Sequence, residues 1–326
     1  MTEKAEAEKY AIDSFTNPKQ LNINGLEFFI KVVILYVLFV ASVYVPPLLG
    51  IFRRGLFCDD ESIRYNYHPN TITAQVLMIY GIGLNFFIIL VVEVYRFYKI
   101  EKGIEATKYT WNQTNIHVLL VRIIKYFGFS QIGFVANVAL NVSTKHFVGR
   151  LRPNFWEVCK LANGTCSIED PYRYIPVLEC TGKPEAVDDA RKSFYSGHSA
   201  VALYCAVWSS LYIQARISKF LNNRMIIPFI QTMVLLSGLA ICYTRISDNK
   251  HHWSDVLVGC LVGAFVAIYS CVYWYELFKE NESDKVIEKK NGTQKINEVD
   301  SRVTLTTELS RDSSVLDPSS VRTTST

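Results

Sequence analysis

The chain carries almost no excess of charge: 34 Lys and Arg against 30 Asp and Glu leave a formal +4. No basic stripe interleaved with aromatics breaks that balance, which excludes nucleic acid as a partner. Clustered carboxylates are missing as well. There is no DxDxT-type motif, and Asp59, Asp60 and Glu61 read as a solvated turn, so neither a metal site nor a cofactor is implied. A cleavable signal peptide is also lacking, because residues 1–25 are polar and the first apolar run is too long for a signal core. That first run is expected to serve as its own insertion signal. Aromatics stop at Phe278, and the Ser, Thr, Asp, Glu and Lys of 279–326 cannot bury a core. Both tails, 1–25 and 279–326, are expected to be disordered.

What is present is apolar and concentrated. Half of the residues are hydrophobic and 13% are aromatic, yet 20% are charged, so the polar residues fall in blocks, as in a multi-pass membrane protein. Six runs approach the roughly 20 apolar residues that a spanning helix needs: Phe28–Leu49, Ile72–Val92, Lys125–Thr144, Ser199–Ala215, Met225–Thr244 and Val256–Tyr275. The expected fold is all-α, a six-span transmembrane helical bundle. The fourth run is the shortest, and the third carries Ser130, Gln131, Asn137 and Asn141, which suits a helix facing protein or water.

Six spans put both termini on one side. The short loops 96–115 and 216–224 supply Arg96, Lys99, Lys102, Lys108, Arg216, Lys219 and Arg224, which assigns them and the tails to the cytoplasm. The long 145–198 segment, basic itself but a weak voter, then faces outward with the sequon Asn163-Gly-Thr, the expected glycosylation site. The sequons at Asn112 and Asn291 fall on the inner side. Cys58, Cys159, Cys166 and Cys180 face an oxidising compartment, with three pairings open to them. Cys205, Cys242, Cys260 and Cys271 lie inside apolar runs and read as small buried hydrophobes.

Three polar groups flank the runs on the outer side. Lys145 and Arg152 are seven residues apart, which on a continued helix brings them to one face before Pro153 ends it, and two cations on one face can clamp a phosphate. Ser196-Gly197-His198 opens the fourth span, where backbone N–H groups and the helix dipole favour an anion. In Thr244–Asp255, Arg245 joins the clamp. Asp255 stands four residues after His251, a helical spacing that lets the carboxylate accept the Nδ1 proton. His252 points about 100° away and reads as a structural neighbour.

These groups, Lys145-x6-Arg152-Pro153, Ser196-Gly197-His198 and Arg245-x5-His251-x3-Asp255, resemble the three signature motifs of the type 2 phosphatidate phosphatase superfamily. The stretches 52–65, 148–159, 191–199 and 247–259 resemble more narrowly the animal lipid phosphate phosphatases, the group that includes the Wunen-type proteins. Tyr195 and Thr244 depart from the superfamily pattern without removing a charged or catalytic group. The resemblance covers about Gly25 to Phe278 and implies a phosphatase domain over 26–278, with its active site at the extracellular or lumenal ends of the helices.

The resemblance implies a metal-independent phosphatase of the plasma membrane, with phosphatidate, lysophosphatidate, sphingosine 1-phosphate or ceramide 1-phosphate as substrate. It makes His251 the nucleophile, Asp255 its orienting carboxylate and His198 the acid for the departing alkoxide. Lys145, Arg152, Ser196, Gly197 and Arg245 then hold the phosphoryl oxygens. A homodimer is the assembly such relatives suggest. The competing reading is a catalytically silent phospholipid-binding relative, but such relatives lack motif residues that this chain retains.

Overall fold

The computed structural model describes residues 19–101, 107–162, 165–166, 170, 172–221, 225–274 and 277–278. Within them lie α1 (Gly25–Leu48), α2 (Ala74–Tyr95), α3 (Val118–Val148), α4 (Phe155–Cys159), α5 (Pro184–Ala190), α6 (Gly197–Ile217), α7 (Ile226–Ser247) and α8 (Trp253–Tyr269). Among the described residues six helices, all but the short α4 and α5, are long and apolar enough to cross a membrane. The chain is a helical bundle of the membrane type. The described residues fall into two compact units, one within 23–96 and 119–278 and the other within 19–22, 97–101 and 107–118.

The larger unit is built round α6. In its most apolar window 78% of residues are buried, against 28% in α2 and none in α1, so α6 is the axis and not a peripheral span. The polar residues that shorten its apolar run are the reason: α6 starts at Gly197 because Ser196 caps it, accepting from the Ser199 N–H. It packs on α2, α7 and α8. Contact with α8 is close because Gly259 and Gly263 present no side chain, and a Cβ at Gly259 would stand 2.5 Å from the Ser196 carbonyl oxygen. Far from that end, Arg216 of α6 holds the fully buried Glu93 of α2 through two bonds of 2.8 and 3.0 Å, and the Tyr212 hydroxyl adds a third of 2.7 Å. A carboxylate buried in an apolar bundle requires such partners. The expected inward face of α3 is present, with Ser130, Asn137 and Asn141 all buried.

The connections α1–α2 and α3–α6 fold together as a cap at one end of the bundle. Its core is Leu56, Ile63, Leu151, Phe155, Ile175 and Val187. A two-stranded antiparallel ladder pairs β2 (Leu56–Phe57) with β5 (Tyr174–Ile175). Of the three cysteine pairings the fold takes Cys58–Cys166 and Cys159–Cys180. Asp60 caps a short turn and accepts from the Ser62 N–H and hydroxyl at 3.0 and 2.6 Å, which is the solvated turn expected for that acidic run. Asn163 lies outside the described residues.

In the smaller unit β3 (Thr107–Trp111) pairs antiparallel with β4 (Thr114–Ile116) and parallel with β1 (Lys19–Asn22). Lys19–Asn22 therefore forms a strand where polarity alone suggests an unstructured tail, because strand pairing draws on backbone groups that every side chain shares. The remaining tail residues, 1–18 and 279–326, lie outside the described residues.

The cap is small, and its core draws on both disulfides. Peptide mapping under non-reducing conditions is expected to recover 58–166 and 159–180 as linked pairs, and Cys159→Ser to lower stability by about 2–5 kcal/mol in thermal unfolding. Recovery of 58–159 or 58–180 links would contradict this cap.

Candidate active site

The site assembles where three helix ends meet the cap. Lys145 sits in the last turn of α3. The helix stops at Val148 because Gly149 takes a left-handed φ of +57° and its N–H bonds the Lys145 carbonyl at 3.3 Å. Arg152 is consequently not on the helix, and the face shared by Lys145 and Arg152 over two helical turns does not exist. The chain turns back instead and brings Arg152 in from the cap, tied by its N–H to the Ala190 carbonyl at 2.8 Å. One guanidinium nitrogen donates to Asp189 at 2.9 Å, while the buried Nε finds no acceptor.

At the start of α6, the Ser196 N–H bonds the Asp255 carbonyl at 3.0 Å and the Ser199 hydroxyl donates to Ser196 Oγ at 2.9 Å. Gly197 faces Asn141, whose carboxamide oxygen would lie 2.6 Å from a Cβ at that position. The same Asn141 donates to the Tyr195 carbonyl at 2.9 Å. His198 Nε2 donates to the Ile72 carbonyl at 3.1 Å, which anchors the ring to the entry of α2 and leaves Nδ1 as its second face.

Arg245 occupies the last turn of α7 and is 1% exposed. Its guanidinium donates to Asp248 at 2.6 Å, to Asn70 at 3.1 Å and to the Thr244 hydroxyl, while Asp248 accepts from the Thr71 N–H and hydroxyl. The Arg245 carbonyl in turn receives the N–H groups of Lys250 and His251, each at 3.2 Å. Arg245 thus fixes the loop that carries the histidine, its own charge paired with Asp248.

The relation of His251 to Asp255 differs from the helical one expected. α8 begins at Trp253 with His252 as its N-cap, so His251 stands outside the helix and a four-residue spacing no longer puts it above Asp255. His251 Nδ1 donates to the Ser193 carbonyl at 2.7 Å, with Asp255 at 3.9 Å. Asp255 instead accepts from the Ser193 hydroxyl at 2.5 Å, Arg150 at 2.5 Å and the His252 N–H at 3.1 Å. The carboxylate reaches His251 by fixing Ser193. His252, a structural neighbour as expected, donates from Nε2 to the Leu151 carbonyl at 3.0 Å.

Three residues of this arrangement escape motif reasoning: Ser193, Arg150 and Lys250. Lys250 is 4% exposed, its ammonium lies 3.6 Å from the Tyr67 ring centroid, and it meets no carboxylate among the described residues. Burial, and then the charge of Arg152, push it down to about 8. Its position beside His251 was the one available signal. Burial also holds the His251 imidazole well below the usual histidine range, reinforced by Arg152, Lys145 and His198. The imidazole is neutral, its tautomer is set by Ser193, and Nε2 has no partner among the described residues. Neither the Lys145 nor the Lys250 ammonium nor the Arg152 Nε meets an acceptor among the described residues; the charges of Lys145 and Arg152 bear on His251 and that of Arg152 on Lys250, a composition suited to an oxyanion.

A polytopic helical bundle that carries a buried histidine among cations at its helix ends is the architecture of a membrane protein of the PAP2 type. Residues 127–279 match the PAP2 superfamily model. The chain is 52% identical over 276 residues to the Caenorhabditis elegans "phospholipid phosphatase homolog 1.2 homolog", an alignment covering 84% of this chain and 79% of that protein. It is 35% identical to rat phospholipid phosphatase 2 over 248 residues (75% and 84%), and 37% identical to the human protein of that name over 233 residues (70% and 75%). No solved structure matches. The chain belongs to the animal lipid phosphate phosphatases of the PAP2 superfamily.

The His251 shift carries a pH signature. Its folded pKa lies below the unfolded value of about 6.5, so on acidification the unfolded chain takes up the proton first and stability is lost as pH falls below about 6.5. Thermal unfolding temperatures measured from about pH 7 to about pH 5 are expected to fall less steeply for His251→Gln than for the parent. Equal slopes would contradict a buried neutral His251.

Proposed function

We propose that this protein is an integral-membrane lipid phosphate phosphatase that hydrolyses phosphate monoesters of lipids such as phosphatidate, lysophosphatidate, sphingosine 1-phosphate and ceramide 1-phosphate. The observation that carries the reading is His251: Nδ1 locked, Nε2 without a partner among the described residues, and the positive charges of Arg152 and Lys145 acting on the ring. The names of the relatives, phospholipid phosphatases, point the same way.

In the first step Nε2 attacks phosphorus and the P–O bond to the lipid breaks. Lys145, Lys250 and Arg152 Nε take the phosphoryl oxygens, joined by the N–H groups opening α6 at Gly197 and His198, and Arg245 fixes the loop that carries His251. The departing alkoxide takes a proton from Nδ1 of His198, which enters the step as imidazolium: one proton stays on Nε2 at the Ile72 carbonyl and the second arrives with the monoanionic phosphate of the substrate, whose remaining charge helps retain it. As the phosphoryl group bonds Nε2, positive charge appears on the ring. The Ser193 carbonyl and Asp255, 3.9 Å from Nδ1, stabilise it. In the second step His198, now neutral, takes a proton from water, whose oxygen attacks phosphorus and releases inorganic phosphate and free His251. The groups facing phosphate are cationic or neutral, so the reaction needs no metal.

The cap's two disulfides support an oxidising compartment, hence a site on the extracellular or lumenal side, with the tails in the cytoplasm. In that topology the plasma membrane is the working location and Asn163 is open to glycosylation. A homodimer is the assembly we assign. A site at the helix ends suits a substrate whose phosphate lies at the interface while its chains stay in lipid.

Incubation with 32P-labelled lysophosphatidate in EDTA, followed by an alkaline quench, separates the roles of the histidines. His198→Ala is expected to retain label on His251 while turnover falls about 10^3-fold or more. His251→Ala is expected to lose turnover and never label. Label on a His251→Ala protein would sink the nucleophile assignment, and turnover lost on chelation would sink the metal-free one.

A further inference from the structure

The cap carries an open cavity of about 490 Å3 that no step of this cycle uses. Its volume lies within the range of small-ligand sites, roughly 300–1,000 Å3. Arg53, Arg54, Arg150, Leu56, Tyr174 and His252 form much of its wall. Three guanidinium groups thus face one carboxylate, Asp60, which is committed to the Ser62 N–H and hydroxyl. Arg54 donates only to the Val148 carbonyl, at 3.3 Å, and Arg53 makes no hydrogen bond or ion pair among the described residues. Burial, and then the Arg53 charge, hold Arg191 below the usual arginine value, with Asp188 acting the other way.

Arg150 joins the cavity to the chemistry. Through one guanidinium nitrogen it bonds Asp255 at 2.5 Å and Ser254 at 2.9 Å, and its other nitrogens have no partner among the described residues. A neighbouring cavity of about 420 Å3 shares Ser62, Arg150 and His252 with the first and reaches His251. An anion seated beside Arg53 and Arg54 therefore competes with Asp255 for the same guanidinium. Asp255 holds Ser193, and Ser193 holds His251.

We propose that the cap cavity is a second, regulatory site for a phosphate-class anion, and that its occupation slows turnover by drawing Arg150 away from Asp255. The binding stands without the phosphatase reading; the effect on turnover rests on it. Two sources carry the same chemistry, the inorganic phosphate released by the reaction and the phosphate headgroup of a neighbouring lipid.

The test is equilibrium binding of 32P-labelled inorganic phosphate to the purified full chain in detergent, with a non-hydrolysable lysolipid phosphonate in nanodiscs as the second arm. Two sites per chain are expected. Arg53→Gln/Arg54→Gln should weaken one by about tenfold or more and leave the other, whereas Lys145→Ala should do the reverse. If the double variant folds poorly, Arg53→Gln alone, which breaks no hydrogen bond, should weaken the same site. At saturating substrate, added phosphate should lower kcat in the parent and act only competitively in the arginine variants, whose basal kcat and KM stay unchanged. Displacement of bound phosphate by the phosphonate identifies a lipid headgroup as the occupant, and its failure identifies the free product. A single phosphate site abolished by Lys145→Ala, or a parent inhibited only competitively, would overturn the cap site while leaving the phosphatase reading intact. Absence of turnover with two phosphate sites preserved would do the opposite.

Discussion

Asp255 is a carboxylate with no exposure to solvent, and the site end of the bundle is arranged to satisfy it. Arg150 comes from the cap, Ser193 from the segment entering α6 and the His252 N–H from the start of α8, while its own carbonyl receives the Ser196 N–H. An unpaired carboxylate at that depth would cost several kcal/mol, so three separate segments are bound to one point. Because Ser193 is one of them, the point that closes the structure also fixes the tautomer of His251. Stability and the orientation of His251 share a single cluster.

The helices must meet closely for that cluster to form. Gly259 and Gly263 remove the side chains that would hold α8 off α6, and Gly149 ends α3 early enough for the chain to return with Arg152. At the far end the Glu93–Arg216 pair ties α2 to α6. The disulfide-linked cap then confines the loop residues that face the site. Rigid ends with unsatisfied donors between them suit phosphoryl transfer, which asks chiefly for positioning and charge. Among the described residues Lys145 and Lys250 meet no carboxylate and the Arg152 Nε no acceptor, a cost to the fold that an anionic substrate would offset.

Much of this was legible beforehand, and what escaped has a common cause. Apolar runs located all six spans, since length and hydropathy are properties of side chains in sequence. Polar residues at their ends singled out His198, His251, Asp255 and Arg245, which the fold brings to one end of the bundle. Helical spacing failed at two places, where a glycine or a helix boundary interrupts it: Arg152 lies beyond Gly149, and His251 precedes the N-cap of α8. The partner of His251 is a backbone carbonyl, and Ser193 gives no side-chain sign of offering one. Lys250 belongs to none of the motifs, and burial beside Tyr67 is what sets it apart. The cysteine pairing and the strand Lys19–Asn22 depend on long-range contacts that no local pattern encodes.

The central claim is that His251 is held by Ser193 through Nδ1 so that Nε2 meets a phosphoryl group ringed by Lys145, Lys250 and Arg152. A structure of the protein with vanadate, which mimics phosphorus in transfer, tests this directly. The account predicts vanadium bonded to His251 Nε2, with its oxygens within hydrogen-bonding reach, about 3 Å, of those three side chains and with Nδ1 still on the Ser193 carbonyl. Vanadate bonded to another residue, or a His251 ring turned so that Nδ1 bonds Asp255 directly, would contradict it.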